Sequence, residues 1–297
     1  MDITWLERLS LFRHALLAAL AAGLVCPLLG ALLWLRRTSF YGITLPQFSA
    51  AGVVLGYVCL AWWIDHVGLG GLSLDEALED PHAIMNYLLL WAALACTLGL
   101  GLLVWLGRAG KGSEAGRVAA AFALANAATY LFGRMSPVGS SHVSELLQGE
   151  ILGVGLHELE TVAGVLLAVL AVFLWRRREF ALVSFDPEFA RVLGLHRTRI
   201  ELALLALCTA TVACGTMILG PTLLFGLIVL PPLAARPFAR SMDRFFVLSS
   251  LAGIGAVLLG VVLSFEADLP LGAAIVAGAG VLLVPGLVRR LTLKAAA

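Results

Sequence analysis

SFYGITLPQFSAAGVVLGYVCL, residues 39–60, has the length and apolar bulk of a membrane-spanning helix, yet its first half carries Thr44, Pro46, Gln47 and Ser49. A span needs roughly 20 mainly apolar residues, and within it a polar group persists only where neighbouring protein or water meets its hydrogen bonds. Pro46 has no N–H to give the carbonyl of Gly42, which predicts a local break in the helix. At helical spacing Ile43, Gln47, Ala50, Ala51 and Val54 share one face, while Gly52 and Gly56 form a small-xxx-small pair suited to close helix approach. This is the pattern of a helix beside a wet path rather than one bathed in lipid.

Comparable apolar runs flank it on both sides. They fall at 14–35, 44–64, 85–106, 118–132, 158–175, 200–219, 222–235, 245–265 and 271–288, nine in all. Of 297 residues, 61% are apolar and 13% charged, a composition that excludes a soluble globule with a polar skin. The expected fold is all-α, a single polytopic membrane domain over residues 1–297 with about nine transmembrane helices.

The charges predict the orientation. Lys and Arg collect in alternate connections, at Arg36 and Arg37, around Lys111, at 176–178 and 191–199, at Arg236, Arg240 and Arg244, and at Arg289, Arg290 and Lys294. Such loops stay in the cytoplasm, so nine spans place the C-terminus inside and the N-terminus outside. The connection at 65–84 is acidic, with Asp65, Asp75, Glu76, Glu79 and Asp80 and no Lys or Arg; it either draws cations toward the outer mouth or contacts an outer partner protein, or it only enforces topology. The first span has no cleavage site of a secreted leader and is expected to stay.

Enzyme chemistry finds no support in the residue pattern. The six histidines are scattered, no HExxH occurs, and the five cysteines sit inside apolar runs without a CxxC, as small buried hydrophobes do. GRAGKGS at 107–113 lacks the upstream glycine of a phosphate loop, so the chain is expected neither to bind ATP nor to catalyse a reaction. The net charge of +1 gives no sign of nucleic acid binding.

The best-punctuated polar segment is LVSFDPEFARVLGLHRTRIE, residues 182–201. Asp186 is an N-cap type, Pro187 suits the first helical position, and Glu188 complements the positive helix end. Phe189, Val192 and Leu193 follow at helical spacing, Arg191 lies among them, and Gly194 supplies the stop. A short cytoplasmic helix results, which either caps the bundle or docks a cytoplasmic partner.

SFDPEFARVLGL, residues 184–195, resembles the coupling segment of the ABC-3 type permeases that import zinc, manganese and iron, with the pattern S-F-D-x-x-x-A-x-x-x-G. Four further stretches resemble that family's motifs in order: RRTSFYGITLPQFSAAG at 36–52, LLQGEILGV at 146–154, LGPTLLFGLIVLPPLAAR at 219–236 and EADLPLGAAIV at 266–276. The resemblance implies a permease fold of the metal-ion and vitamin B12-like type in a bacterial inner membrane. It implies a homodimer with two cytoplasmic ATPase subunits that use the ATP and an extracytoplasmic metal-binding protein, a transported divalent ion, and no cofactor held by this chain. Asp186, Pro187, Glu188, Phe189, Arg191 and Gly194 would then engage the ATPase.

The resemblance also implies a translocation path along Pro46, Gln47 and Ser49, with Glu150 at the acidic position of the Leu-x-Gly-Asp-Ile-Leu element. The family's second span reads Gly-Asp-Ala-x-Ser-His, its Asp and His offering ligands to the passing metal. Aligned on Gly42 and Gly52, those positions are Ile43 and Gln47 here. Gln47 and Glu150 remain as weak metal contacts, and a neutral amide oxygen suits a hydrated or chelated cation better than tight zinc capture. Import of a metal chelate or other small solute is therefore the alternative, with an ATPase-independent secondary transporter behind it.

Overall fold

The computed structural model describes residues 12–36, 38, 40–67, 84–109, 113–136 and 155–295. In chain order the helices are α1 (Arg13–Leu35), α2 (Tyr41–His66), α3 (Met85–Ala109), α4 (Glu114–Met135), α5 (Leu156–Phe185), α6 (Pro187–Val192), α7 (Arg197–Ala235), α8 (Met242–Ala267), α9 (Leu271–Val281) and α10 (Leu283–Ala295), with a 3₁₀ turn at Arg236–Phe238. The described residues hold no strand.

Helix α7 is a hairpin. Gly220 adopts φ 73° and ψ 159°, a region open essentially to glycine alone, and Pro221 starts the second arm with its preset φ. After the turn the arms lie side by side, and a β-carbon on Gly215 would press on the Leu224 side chain. At the other end of α7, Glu201 pairs with Arg36 while Arg236 stacks over Trp34 at 5.0 Å. Trp34 and Arg36 are neighbours, whereas a straight helix would separate residues 201 and 236 by about 50 Å. Residues 197–219 and 221–235 are therefore two arms that run in opposite directions, matching the two separate apolar runs.

With α7 counted as two arms, α9 with α10 as one and the short α6 set aside, the described residues form nine helical segments. Among the described residues seven helices are long and apolar enough to cross a membrane when α7 is taken as a single unit; the alanine-rich α4 is not one of them. At 22 residues α4 is nonetheless about 33 Å long, and it packs along α2 with Val118 and Ala121 near Tyr41 and Phe48. Helix α5 runs ten residues beyond the expected end at 175. Its extension is held by ion pairs from Arg176 to Glu179 and from Arg177 to Asp243 of α8.

The ends of the bundle differ in chemistry. At one end lie the Arg36–Glu201, Arg197–Glu201 and Arg177–Asp243 pairs and Arg289 over Phe238 at 4.8 Å. At the other end Phe12 meets Phe265 at 6.4 Å and Trp63 meets Tyr87 at 5.6 Å. Helix α1 thus begins at the end opposite these ion pairs.

Between the ends, backbones approach closely through glycine. Gly23 of α1 faces Gly253 of α8, Gly30 of α1 faces the Ile228 carbonyl on the second arm of α7, and Gly52 of α2 faces the Trp91 carbonyl of α3. Lipid tails provide no hydrophobic drive between helices, so such close packing and cross-helix hydrogen bonds carry the association. Examples of the latter run from the Tyr87 hydroxyl to the Gly56 carbonyl at 2.9 Å and from the Ser250 hydroxyl to the Leu24 carbonyl at 2.8 Å.

Candidate translocation path and coupling surface

Helix α2 stays continuous through Pro46, which corrects the expected break. Pro46 lies in the second turn, so its ring costs a single bond to the Gly42 carbonyl. The first turn is tightened instead, by bonds from the Tyr41 amide to the Thr38 carbonyl at 3.0 Å and from the Ile43 amide to the Phe40 carbonyl at 3.1 Å. Gly42 rests against Ile228 and Val229 of α7, so neighbouring helices hold the interrupted turn in place.

The polar residues of this segment fall into two groups. Thr44 is buried and donates to the Phe40 carbonyl at 3.4 Å. Gln47 is half-buried and Ser49 fully buried, and the Gln47 Oε1 and Ser49 Oγ atoms are enclosed with no hydrogen-bond partner among the described residues. Thr211 Oγ1 on α7 is enclosed in the same unpartnered way. Leaving a buried polar group unpaired costs about 1–3 kcal/mol, so three such oxygens on two mutually packed helices require an account. These are neither imidazole, thiolate nor carboxylate, although Glu114 Oε1 at the start of α4 is enclosed and unpartnered as well, and no cluster of three His, Cys, Asp or Glu occurs among the described residues. Neutral oxygens are hard, weak donors, suited to water or to a cation that keeps its own ligands. Glu150 lies outside the described residues, as does most of the acidic 65–84 connection.

Helix α6 forms as its punctuation predicts. Asp186 Oδ1 accepts from the Phe189 amide at 2.9 Å, Pro187 occupies the first turn, and Arg191 pairs with Glu188 at 3.2 Å. Gly194, at φ 74°, closes the helix with bonds from its own amide to the Arg191 carbonyl and from the Leu195 amide to the Ala190 carbonyl, the glycine stop in which two late carbonyls are satisfied. Ala190 is buried against the bundle, whereas Phe189 is 51% exposed, Val192 82% and Leu193 56%. The apolar side therefore faces away from the rest of the chain, as an exposed apolar surface does when it awaits a partner. Asp186→Ala should weaken the helix by about 1 kcal/mol, read as faster amide exchange confined to residues 187–195.

Sequence reasoning missed the carboxylate at the basic end. One oxygen of Glu201 accepts from Arg36 at 2.9 Å and from Arg197 at 3.0 Å, joining the end of α1 to the start of α7. The Arg197–Glu201 half has helical i, i+4 spacing and was available as a signal; the Arg36 half spans 165 positions and was not.

Residues 8–290 match the model of the ABC 3 transport family. The chain belongs to the ABC 3 transport family. It is 33% identical over 146 residues to a chelated iron transport system membrane protein of Yersinia pestis, covering 49% of this chain and 48% of that one. It is 28% identical over 137 residues to a manganese import system permease protein of Streptococcus gordonii, covering 46% and 49%. The aligned stretches thus span about half the length of these two relatives. The fold is shared with the PsaBC complex of Streptococcus pneumoniae solved with a Fab, at a TM-score of 0.78 and 19% identity over 95% of this chain and 93% of that one. The family match takes in every helix from α1 into α10, so α2, α6 and the α7 hairpin all belong to the family's membrane domain.

Proposed function

We propose that the chain is the membrane permease subunit of a binding-protein-dependent ABC importer of metal ions, manganese, zinc or iron, built as one domain over residues 1–297. Two copies form the path, two separate ATPase subunits hydrolyse ATP on the cytoplasmic side, and an extracytoplasmic protein delivers the ion. The arginine-rich end faces the bacterial cytoplasm, with the N-terminus outside and the C-terminus inside, in accord with the clustering of basic residues at one end. The observation that carries the reading is α6, a capped helix on the basic side of a family member, anchored by Ala190 and presenting Phe189 and Val192 outward. Asp186, Pro187, Glu188, Arg191 and Gly194 shape and orient that surface.

A second reading, import of a metal chelate, is favoured by the donor set of α2. Ile43 and Gln47 stand where an acidic residue and a histidine would grip a bare ion, and the enclosed oxygens of Gln47 and Ser49 are neutral. Pro46, Gln47 and Ser49 line the path in both readings, joined by Glu150. The test is ATP-driven uptake into proteoliposomes holding the permease with its ATPase, supplied either with free manganese or iron or with the same metals chelated. Gln47→Ala should reduce uptake of the accepted cargo about tenfold, the equivalent of one polar contact, and more than Gln148→Ala does. Equal effects of the two variants would remove α2 from the path; uptake without ATP would remove the importer reading altogether.

A further inference from the structure

A cavity of about 380 Å³ opens at the basic end between α1, α2, α3 and α7. Arg36, Arg197 and Glu201 form its polar wall, and Leu45, Leu100, Leu204 and Leu205 are among the residues of its apolar floor. The wall carries a net charge of +1, because two guanidinium groups share one carboxylate. Both arginines bond the same Glu201 oxygen, so most of their N–H donors remain uncommitted among the described residues. Arg36 and Glu201 are only 23% and 26% exposed, which keeps the charges partly out of water, where an ionic contact is stronger.

The mouth shows which kind of anion fits. Val104 and Leu202 form its rim and are exposed. They continue into an exposed row on α3, Leu90, Leu94, Leu98 and Leu102, spaced four apart along one face. Such an apolar row on a membrane helix suits acyl chains. Trp105, 63% exposed one residue beyond Val104, is of the type that settles at headgroup depth. The cavity thus has guanidinium groups at its polar end and leucines below and beside its mouth, the order of a charged headgroup above acyl chains.

We propose that this cavity binds an anionic phospholipid of the cytoplasmic leaflet, its phosphate on Arg36 and Arg197 and its acyl chains along Leu202 and the α3 leucines. A planar guanidinium meets phosphate oxygens with paired N–H donors, and basic pockets between helices on the cytoplasmic side are suited to such headgroups. The bound lipid would join α1, α2, α3 and the first arm of α7 at the end where coupling movements enter the bundle.

The test uses the full chain in detergent and in lipid nanodiscs and requires no transport. Native mass spectrometry should show phosphatidylglycerol retained in preference to phosphatidylcholine, and phosphatidylglycerol should raise the melting temperature while phosphatidylcholine does not. Arg36→Gln with Arg197→Gln changes the wall from +1 to −1 and should lower phosphatidylglycerol retention about thirtyfold, at about a tenfold change per 1.4 kcal/mol and about 1 kcal/mol for each basic residue. Leu205→Trp fills the floor, leaves the ion pairs intact and should abolish retention even where the double variant folds poorly. Equal retention of both lipids by the unaltered chain, or undiminished phosphatidylglycerol retention in Leu205→Trp, would overturn the proposal. A full thermal shift from inorganic phosphate alone would assign the cavity to a soluble anion instead and equally overturn it.

Discussion

Phe189→Asp is expected to leave the permease folded and in the membrane at its normal level while reducing ATP-driven uptake about a hundredfold or more. The side chain is 51% exposed and belongs to no core cluster, so its removal costs the fold little. Against a partner the balance reverses. A single outward aromatic on a rigid helix has the features of an interface hot spot, where truncation costs about 2–4 kcal/mol, and a carboxylate adds a desolvation penalty to the lost contact. Helix α6 keeps its Asp186 cap, its Pro187 start and its Gly194 stop in the variant, so the effect reports docking rather than helix loss. The measurement is paired: ATPase activity in the reconstituted complex, with and without loaded binding protein, alongside uptake. Loss of uptake with ATPase activity no longer responding to the loaded binding protein is the expected result. Val192→Asp, at the more exposed neighbour, should behave alike, whereas Ala190→Asp places a charge at a buried position and should lower the amount of folded protein. Normal uptake by Phe189→Asp would exclude α6 as the coupling element.

The parts of this molecule that could be read without coordinates are those set by local chemistry. Membrane crossings follow from the length of apolar runs, and even the division of α7 was visible, because Gly220–Pro221 interrupts the run with the two residues that most strongly punctuate a helix. Helix α6 was visible for the same reason: its cap, first-turn proline and terminal glycine all act within a few positions of each other. Failures came where the deciding partner is remote. Pro46 predicts a break by local rules, yet α2 stays continuous because Gly42 is supported by Ile228 and Val229, residues far along the chain. Arg36 reads as an orientation signal until Glu201 is brought to it by the α7 hairpin. The candidate path was legible in position, through Pro46, Gln47 and Ser49, but not in chemistry, since it took the packed structure to show that the oxygens of Gln47 and Ser49 are enclosed and unpartnered while Thr44 is satisfied by its own helix.

The largest effect on the fold itself is expected at Gly30. A β-carbon there would fall inside the Ile228 carbonyl and against the Pro232 ring, so the obstacle is backbone of the second α7 arm and a rigid ring, neither of which can rotate aside. Overpacking a well-filled interior typically costs about 1–3 kcal/mol when side chains can adjust; a clash with backbone belongs at or above the top of that range. The consequences reach beyond one contact, because the same stretch of α7 also supports Gly42 at the start of α2. Pushing Ile228 away from α1 would therefore withdraw support from the turn that precedes Pro46. Gly30→Leu should abolish accumulation of monodisperse protein in detergent extracts. Gly101→Leu is the matched control, since nothing lies within 4 Å of a β-carbon at that position, and it should accumulate normally. Equal yields of the two variants would mean that the approach of α1 to the second arm of α7 is not what holds the hairpin in the bundle, and the support assigned to Gly42 and Pro46 would have to come from α3 and α4 alone.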